Sequence, residues 1–106
     1  MPGHKLPAPI ARAVWARDAH YCVYCLATKR LELEHVLSRK AGGKDFPSNL
    51  VISCAPCNLR KRNMPVDLFV IWMERLGYGH GSADAMLIRV GLHLARPCLV
   101  RARRPR

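Results

Sequence analysis

The sequence predicts a small α+β fold, in which two short strands and a helix are held between two Cys-x-x-Cys pairs and flanked by further helices. Three observations predict it. Residues 31–34 alternate Leu, Glu, Leu, Glu, the period of a strand with one buried face. Cys22 and Cys25 form one close pair and Cys54 and Cys57 another, with 28 residues between the pairs. Apolar residues recur at helical spacing before and after this segment.

Taken in order, residues 10–19 place Ile10, Ala13, Val14 and the stem of Arg17 along one helical face, and Pro9 suits a helix start. The run from Tyr21 to Cys25 reads as a knuckle-like turn. Residues 41–49 form a loop by composition, with two glycines, a proline and small polar residues. Residues 50–53, Leu-Val-Ile-Ser, are a short apolar run bounded by turn signals, hence a second strand. A helix begins at residues 55–63, with Pro56 in its first turn. Residues 66–76 carry Val66, Phe69, Val70, Trp72, Met73 and Leu76, and Gly77 and Gly79 stop that helix. Ser82 caps a last helix over 82–95, with Met86, Leu87, Val90 and Leu94 on one side. The final eleven residues hold five arginines and form a basic tail.

The chain has 106 residues, enough for one domain with a modest core, and half of them are apolar, which excludes a disordered chain. Eighteen Lys and Arg against seven Asp and Glu give a net charge of +11. Such a charge attracts a polyanion: nucleic acid first, an anionic membrane surface second. No apolar run approaches the roughly 20 residues that span a bilayer, so no membrane partner is expected. The first residues lack the apolar stretch of a secretory signal, since Arg12 and Arg17 interrupt them. The expected location is therefore intracellular, in the cytoplasm, where five cysteines serve as metal ligands or free thiols rather than disulfides.

Two knuckles of this spacing can supply the four soft ligands that Zn²⁺ takes in a tetrahedron, so Cys22, Cys25, Cys54 and Cys57 are expected to hold one structural zinc. Four thiolates and one Zn²⁺ lower the net charge by two, to +9. A redox dithiol would need a Cys-x-x-Cys after a strand in a βαβ unit, which the pattern lacks. The metal also explains how so small a chain stays folded. Cys98 lies outside the scheme, as a lone thiol.

Zinc leaves Glu34, His35, Asn49 and Asn58 without a reason. Singly, each has an ordinary reading: an edge-strand charge, a half-buried imidazole, a turn cap, a polar helix residue. Jointly they carry a pattern: Cys22-Val-Tyr-Cys25, Glu34-His35, Gly42-Gly43, Asn49-Leu50 and Cys54-Ala-Pro-Cys57-Asn58-Leu-Arg-Lys61. Over a core of about 17–63 the sequence resembles the HNH endonucleases, in the zinc-stapled form of the ββα-metal (His-Me finger) fold.

The resemblance implies that His35 is the general base for a water attacking a DNA phosphodiester. It implies that Glu34 and Asn58 hold one catalytic divalent cation, Mg²⁺ or Mn²⁺, and that Asn49 ties the loop between the strands and orients the histidine. It further implies that Arg60, Lys61 and Arg62 meet backbone phosphates. Where members of the family often have Asp and Pro, this chain has Glu34 and Ser38. Neighbouring strand residues point to opposite faces, so the strand must end or twist at His35 if both residues serve one site. DNA is the expected partner, and one such centre cuts one strand, so a monomer nicks. The alternative is a non-catalytic zinc-knuckle module that only binds DNA. An RNA partner is less favoured, because no aromatic stacking platform is visible.

The remaining histidines, His4, His20, His80 and His93, read as surface or packing residues. The helical extension over 64–95 reads as packing, with Trp72 and Met73 as the alternative contact of a homodimer. The basic tail over 96–106 adds sequence-independent phosphate contacts.

Overall fold

The computed structural model describes residues 6–95; His4, Cys98 and the arginine tail lie outside the described residues. Helix α1 (Ala8–Arg17) starts two residues before the expected point, because Pro7 takes the N-cap position and Pro9 falls in the first turn. It ends at Arg17, where Asp18 turns to extended backbone. Strands β1 (Leu31–His35) and β2 (Leu50–Cys54) pair antiparallel, with Leu33 opposite Ile52, Glu34 opposite Val51 and His35 opposite Leu50. Helix α2 (Ala55–Lys61) follows β2 directly and stops at Arg62, whose φ of 50° leaves the helical region. Helices α3 (Val66–Leu76) and α4 (Ala83–Ala95) form a hairpin. Gly77, at φ 75°, closes α3, and the Ser82 hydroxyl accepts from the Ala85 amide at 3.1 Å to cap α4. The result is the expected α+β architecture, a ββα unit flanked by helices.

All five residues of β2 are buried, because both faces of the hairpin are covered. Leu50 and Ile52 pack with Val14 of α1 and with Leu31 and Leu33 of β1. Val51, on the opposite face, joins a second cluster with Tyr24, Phe69, Met73 and Met86. The knuckle residues Cys22, Val23 and Cys57 belong to this same cluster. The helices that extend the motif in sequence thus share its core in space. Met73 is fully buried, and the Trp72 ring lies between Phe69 and Tyr78, with centroids 6.1 and 5.8 Å away. The two side chains that suggested a homodimer are used in the protein's own packing.

Two arginines join distant parts of the chain. Arg17 is buried; it donates to both carboxylate oxygens of Asp18, at 2.6 and 2.8 Å, and to the carbonyls of Pro47 and Leu50. Asp18 in turn lies 3.8 Å from the buried His93 Nδ1 of α4. Arg89 of α4 donates to the carbonyls of Val23 at 2.6 Å, Tyr24 at 3.1 Å and His80 at 2.8 Å. Both arginines tie carbonyls of the knuckle, loop and strand to a distant helix. Among the described residues, no helix is long and apolar enough to cross a membrane.

Candidate functional site

The four cysteines come from a turn, a strand end and a helix start. In the first knuckle the Cys22 amide donates to the Ala27 carbonyl at 2.8 Å and the Leu26 amide to the Cys22 carbonyl at 2.9 Å, which sets Leu26 at φ 67°. Cys54 ends β2 and Cys57 lies in the first turns of α2. The four sulfur atoms lie within 4.8 Å of one another, with Cys25 and Cys54 3.7 Å apart. A tetrahedron of Zn–S bonds of ~2.3 Å has edges of about 3.8 Å, so the cluster fits that ion. The protonation chemistry points the same way. The hydrogen bond from Cys57, with backbone amides of the two knuckles behind it, brings the Cys22 thiol down to about 4, while burial lifts Cys25 to about 11. Cys57 is raised further, chiefly through its bond with Cys22. One thiolate can be stabilised by its neighbours' S–H groups; four together need a cation at their centre.

Between the strands, residues 37–49 fold back on themselves around Asn49. Its side-chain oxygen accepts from the Leu37 amide at 2.8 Å, and its amide nitrogen donates to the carbonyls of Leu37 and Lys44 at 2.9 and 3.1 Å. Gly42 takes φ 100°, and a Cβ on Gly43 would sit 1.8 Å from the Leu37 carbonyl oxygen. The two adjacent glycines therefore have different reasons, one a backbone angle and one a close approach. Gly43→Ala is expected to destabilise the protein by at least ~2 kcal/mol, the cost of overpacking against rigid backbone. By contrast Gly91→Ala, in α4 with open space around it, should stabilise by roughly 0.5–1 kcal/mol. Urea unfolding of the two variants beside the parent measures both.

β1 ends at His35, and there Glu34 and His35 reach one cleft, of about 210 Å³, which Asn58 of α2 and Arg62 also line. The end of the strand resolves the geometric difficulty of two neighbours serving one site. His35 Nε2 is 2.7 Å from Asp45 Oδ1, and Asp45 also accepts from Arg39 Nε at 3.0 Å. These two donors hold the Asp45 carboxyl below its ordinary range, the His35 bond first. Asn58 donates its amide to Glu32 Oε1 at 2.8 Å.

Glu34 is buried: Oε2 accepts from the Tyr24 hydroxyl at 2.7 Å and lies 3.6 Å from Lys61 Nζ. Oε1 is buried with no hydrogen bond of good geometry; the Ser53 hydroxyl lies near the carboxylate but donates to the Cys54 carbonyl at 3.0 Å. Burial pushes the Glu34 carboxyl up to about 7, against the opposing pull of Lys61 and Tyr24. In the window from about 4.5 to about 7 the folded state thus holds a proton that the unfolded chain has released. The contribution of Glu34 to stability is greatest below this window and falls as pH rises through it, by on the order of 3 kcal/mol. Glu34→Gln keeps the neutral form at every pH. Relative to the parent, its melting temperature should therefore climb between pH 5 and 7.5 in thermal scans without added divalent cations beyond zinc. A constant difference would count against the buried-carboxyl account.

The bases divide. Lys61, expected beside phosphate, is 1% exposed. Its amine donates to the carbonyls of His35 at 3.2 Å and Val36 at 3.1 Å, and pairs with Glu34. Its position on the inner face of α2 aims the stem under β1, so it braces the strand end instead of meeting solvent. Arg60 and Arg62 are exposed on the outer side, with the Arg60 guanidinium 4.2 Å over the Tyr78 ring. His20 is exposed and donates to the Trp15 carbonyl, and His80 lies exposed in the α3–α4 loop. Tyr24, Asp45 and Glu32 were missed at the sequence level. Asp45 lies in a loop that only composition marks, and Tyr24 inside a knuckle whose one sequence signal is its cysteine spacing.

A two-stranded antiparallel hairpin running into a helix, closed at its base by four cysteines, with a carboxylate and an imidazole at the strand end, defines a ββα protein with a four-cysteine knuckle that could bind zinc. Residues 22–64 match the family model described as HNH endonuclease. This is the segment whose motifs carried the resemblance, and it ends before α3. No curated protein and no solved structure matches the chain. The similarity of this segment to that family suggests a nuclease or a nucleic-acid-binding function.

Proposed function

We propose that the protein is a metal-dependent endonuclease that nicks DNA. One observation carries the reading: Glu34, a residue of the cleft that His35 and Asn58 also line, has a buried carboxylate whose Oε1 makes no hydrogen bond of good geometry. A buried carboxylate oxygen without a partner is costly, and a hard cation satisfies it. Glu34 Oε1 and the Asn58 side-chain oxygen would hold Mg²⁺ or Mn²⁺, while the four cysteines hold zinc. When bound, the hard cation supplies charge stabilisation at the scissile phosphate and the departing oxygen.

The chain's own residues do the rest. With Nε2–H donated to Asp45, the His35 ring keeps its lone pair on Nδ1, and that nitrogen takes the proton of the attacking water. Arg39 Nε donates to the same oxygen of Asp45 that His35 meets, and so holds that oxygen in place against the ring. Asn49 sets the loop from which Asp45 projects, through its bonds to Leu37 and Lys44. Arg60 and Arg62 hold flanking phosphates, helped by the chain's charge of +11. Lys61 positions the strand end and the carboxylate. One cleft acts on one strand at a time, hence a nick.

The test is conversion of supercoiled plasmid to open circle by zinc-loaded protein, with and without Mn²⁺ or Mg²⁺. Conversion that requires the added cation supports the nuclease. Salt-sensitive DNA binding without conversion at any cation concentration rejects it in favour of a zinc-knuckle module that only binds.

A further inference from the structure

Tyr24 bonds both to a cysteine of the four-sulfur cluster and to Glu34, and every polar atom it has is engaged. Its amide donates to Cys22 Sγ at 3.4 Å. Its carbonyl accepts from the His80 amide at 2.8 Å and from the Arg89 guanidinium at 3.1 Å. Its hydroxyl donates to Glu34 Oε2 at 2.7 Å. The ring is fully buried and meets Phe69 edge-on, with centroids 4.9 Å apart.

From this geometry we infer that Tyr24 is a positioning residue, holding Glu34 so that Oε1 is presented to the divalent cation, and that it makes the cleft depend on the four-cysteine centre and on the α3–α4 hairpin. The inference rests on the reading of Glu34 as a cation ligand. A carboxylate has two oxygens and a free torsion; with Oε2 fixed by Tyr24 and drawn by Lys61, only Oε1 is left to turn toward the cleft. Tyr24 itself cannot shift without moving a cysteine ligand at its amide or the Arg89 clamp at its carbonyl. The distance from the zinc knuckle to the cation ligand is thus a single rigid side chain. The same contacts give α4 a function, since Arg89 acts on the cleft through Tyr24 without touching it.

Tyr24→Phe removes the hydroxyl and keeps the ring against Phe69. Mn²⁺ binding to zinc-loaded parent and variant is read by electron paramagnetic resonance of free Mn²⁺, and plasmid nicking is followed against Mn²⁺ concentration. Zinc content should be unchanged. The dissociation constant for Mn²⁺ and the half-activating Mn²⁺ concentration should both rise about tenfold, as for loss of one hydrogen bond to a charged group. The nicking rate at saturating Mn²⁺ should stay within about threefold, because the hydroxyl touches no reacting atom. An unchanged Mn²⁺ affinity overturns the inference, and so does a parent that binds no Mn²⁺ at the cleft. A parent that binds Mn²⁺ without nicking rejects the endonuclease and leaves the binding comparison standing as the test of Tyr24.

If the variant loses zinc, the parent labelled with 3-fluorotyrosine provides the second measurement. Mg²⁺ should then move the fluorine signal of Tyr24 and leave those of Tyr21 and Tyr78 in place. A Tyr24 signal that stays still up to saturating Mg²⁺ overturns the inference.

Discussion

Removing the metal from the four cysteines should unfold the protein. Chelation, or Cys57→Ala, is expected to abolish the helical circular dichroism and the cooperative melt, and Zn²⁺ but not Mg²⁺ should restore both after chelation. Structural zinc contributes ~10–16 kcal/mol in small domains, against a total stability of about 5–15 kcal/mol for an ordinary fold. Here the loss is compounded, because Cys22, Cys54 and Cys57 are themselves members of the larger core cluster with Phe69, Val70 and Met73. Without the metal the sulfurs revert largely to neutral thiols, and the bonds that tie the two knuckles to each other inside that cluster are lost. A chelated protein that keeps its near-ultraviolet spectrum and melts within a few degrees of the parent would remove zinc from the account of the fold.

His35→Ala should lower the nicking rate by ~10²–10⁴, the range for loss of a general base, while folding and DNA affinity change little. The structural reason for that separation lies in which atoms of His35 are used. Its carbonyl accepts from Lys61 and braces the strand end, and alanine keeps that carbonyl. Its ring meets Asp45, which retains the Arg39 bond when the ring is gone. The melting temperature and the salt dependence of DNA binding should therefore stay near those of the parent. A variant that nicks at the parent's rate would reject His35 as the base.

The limits of sequence reasoning follow from what periodicity can see. The two knuckles, the alternating β1 and the α3 and α4 stripes were legible because each is a local pattern of soft ligands or apolar spacing, and the hairpin between the knuckles followed from their order. The ends of α1 were displaced because Pro7 rather than Pro9 sets the start, a choice that depends on which proline the chain reaches with extended backbone before it. Polar interior contacts were not legible. Lys61 reads as one of three successive bases, and only the direction of α2 beneath β1 decides that it is the inward one. Tyr24 and Arg89, 65 residues apart, meet through the packing of α4 on a knuckle, and no spacing rule connects such positions. Asp45 became visible only when Asn49 had folded the loop that carries it.

Synthesis from the N-terminus leaves that long-range brace until late. Arg89 reaches back to the carbonyls of Val23 and Tyr24 across 66 and 65 residues. At ribosomal rates of ~5–20 residues per second, roughly 3–13 s separate the emergence of the knuckle from that of its clamp. Glu34, His35 and Asn58 all leave the ribosome inside this interval. The newborn chain thus passes through a period in which every side chain of the cleft has been synthesised and the tyrosine behind it is not yet held.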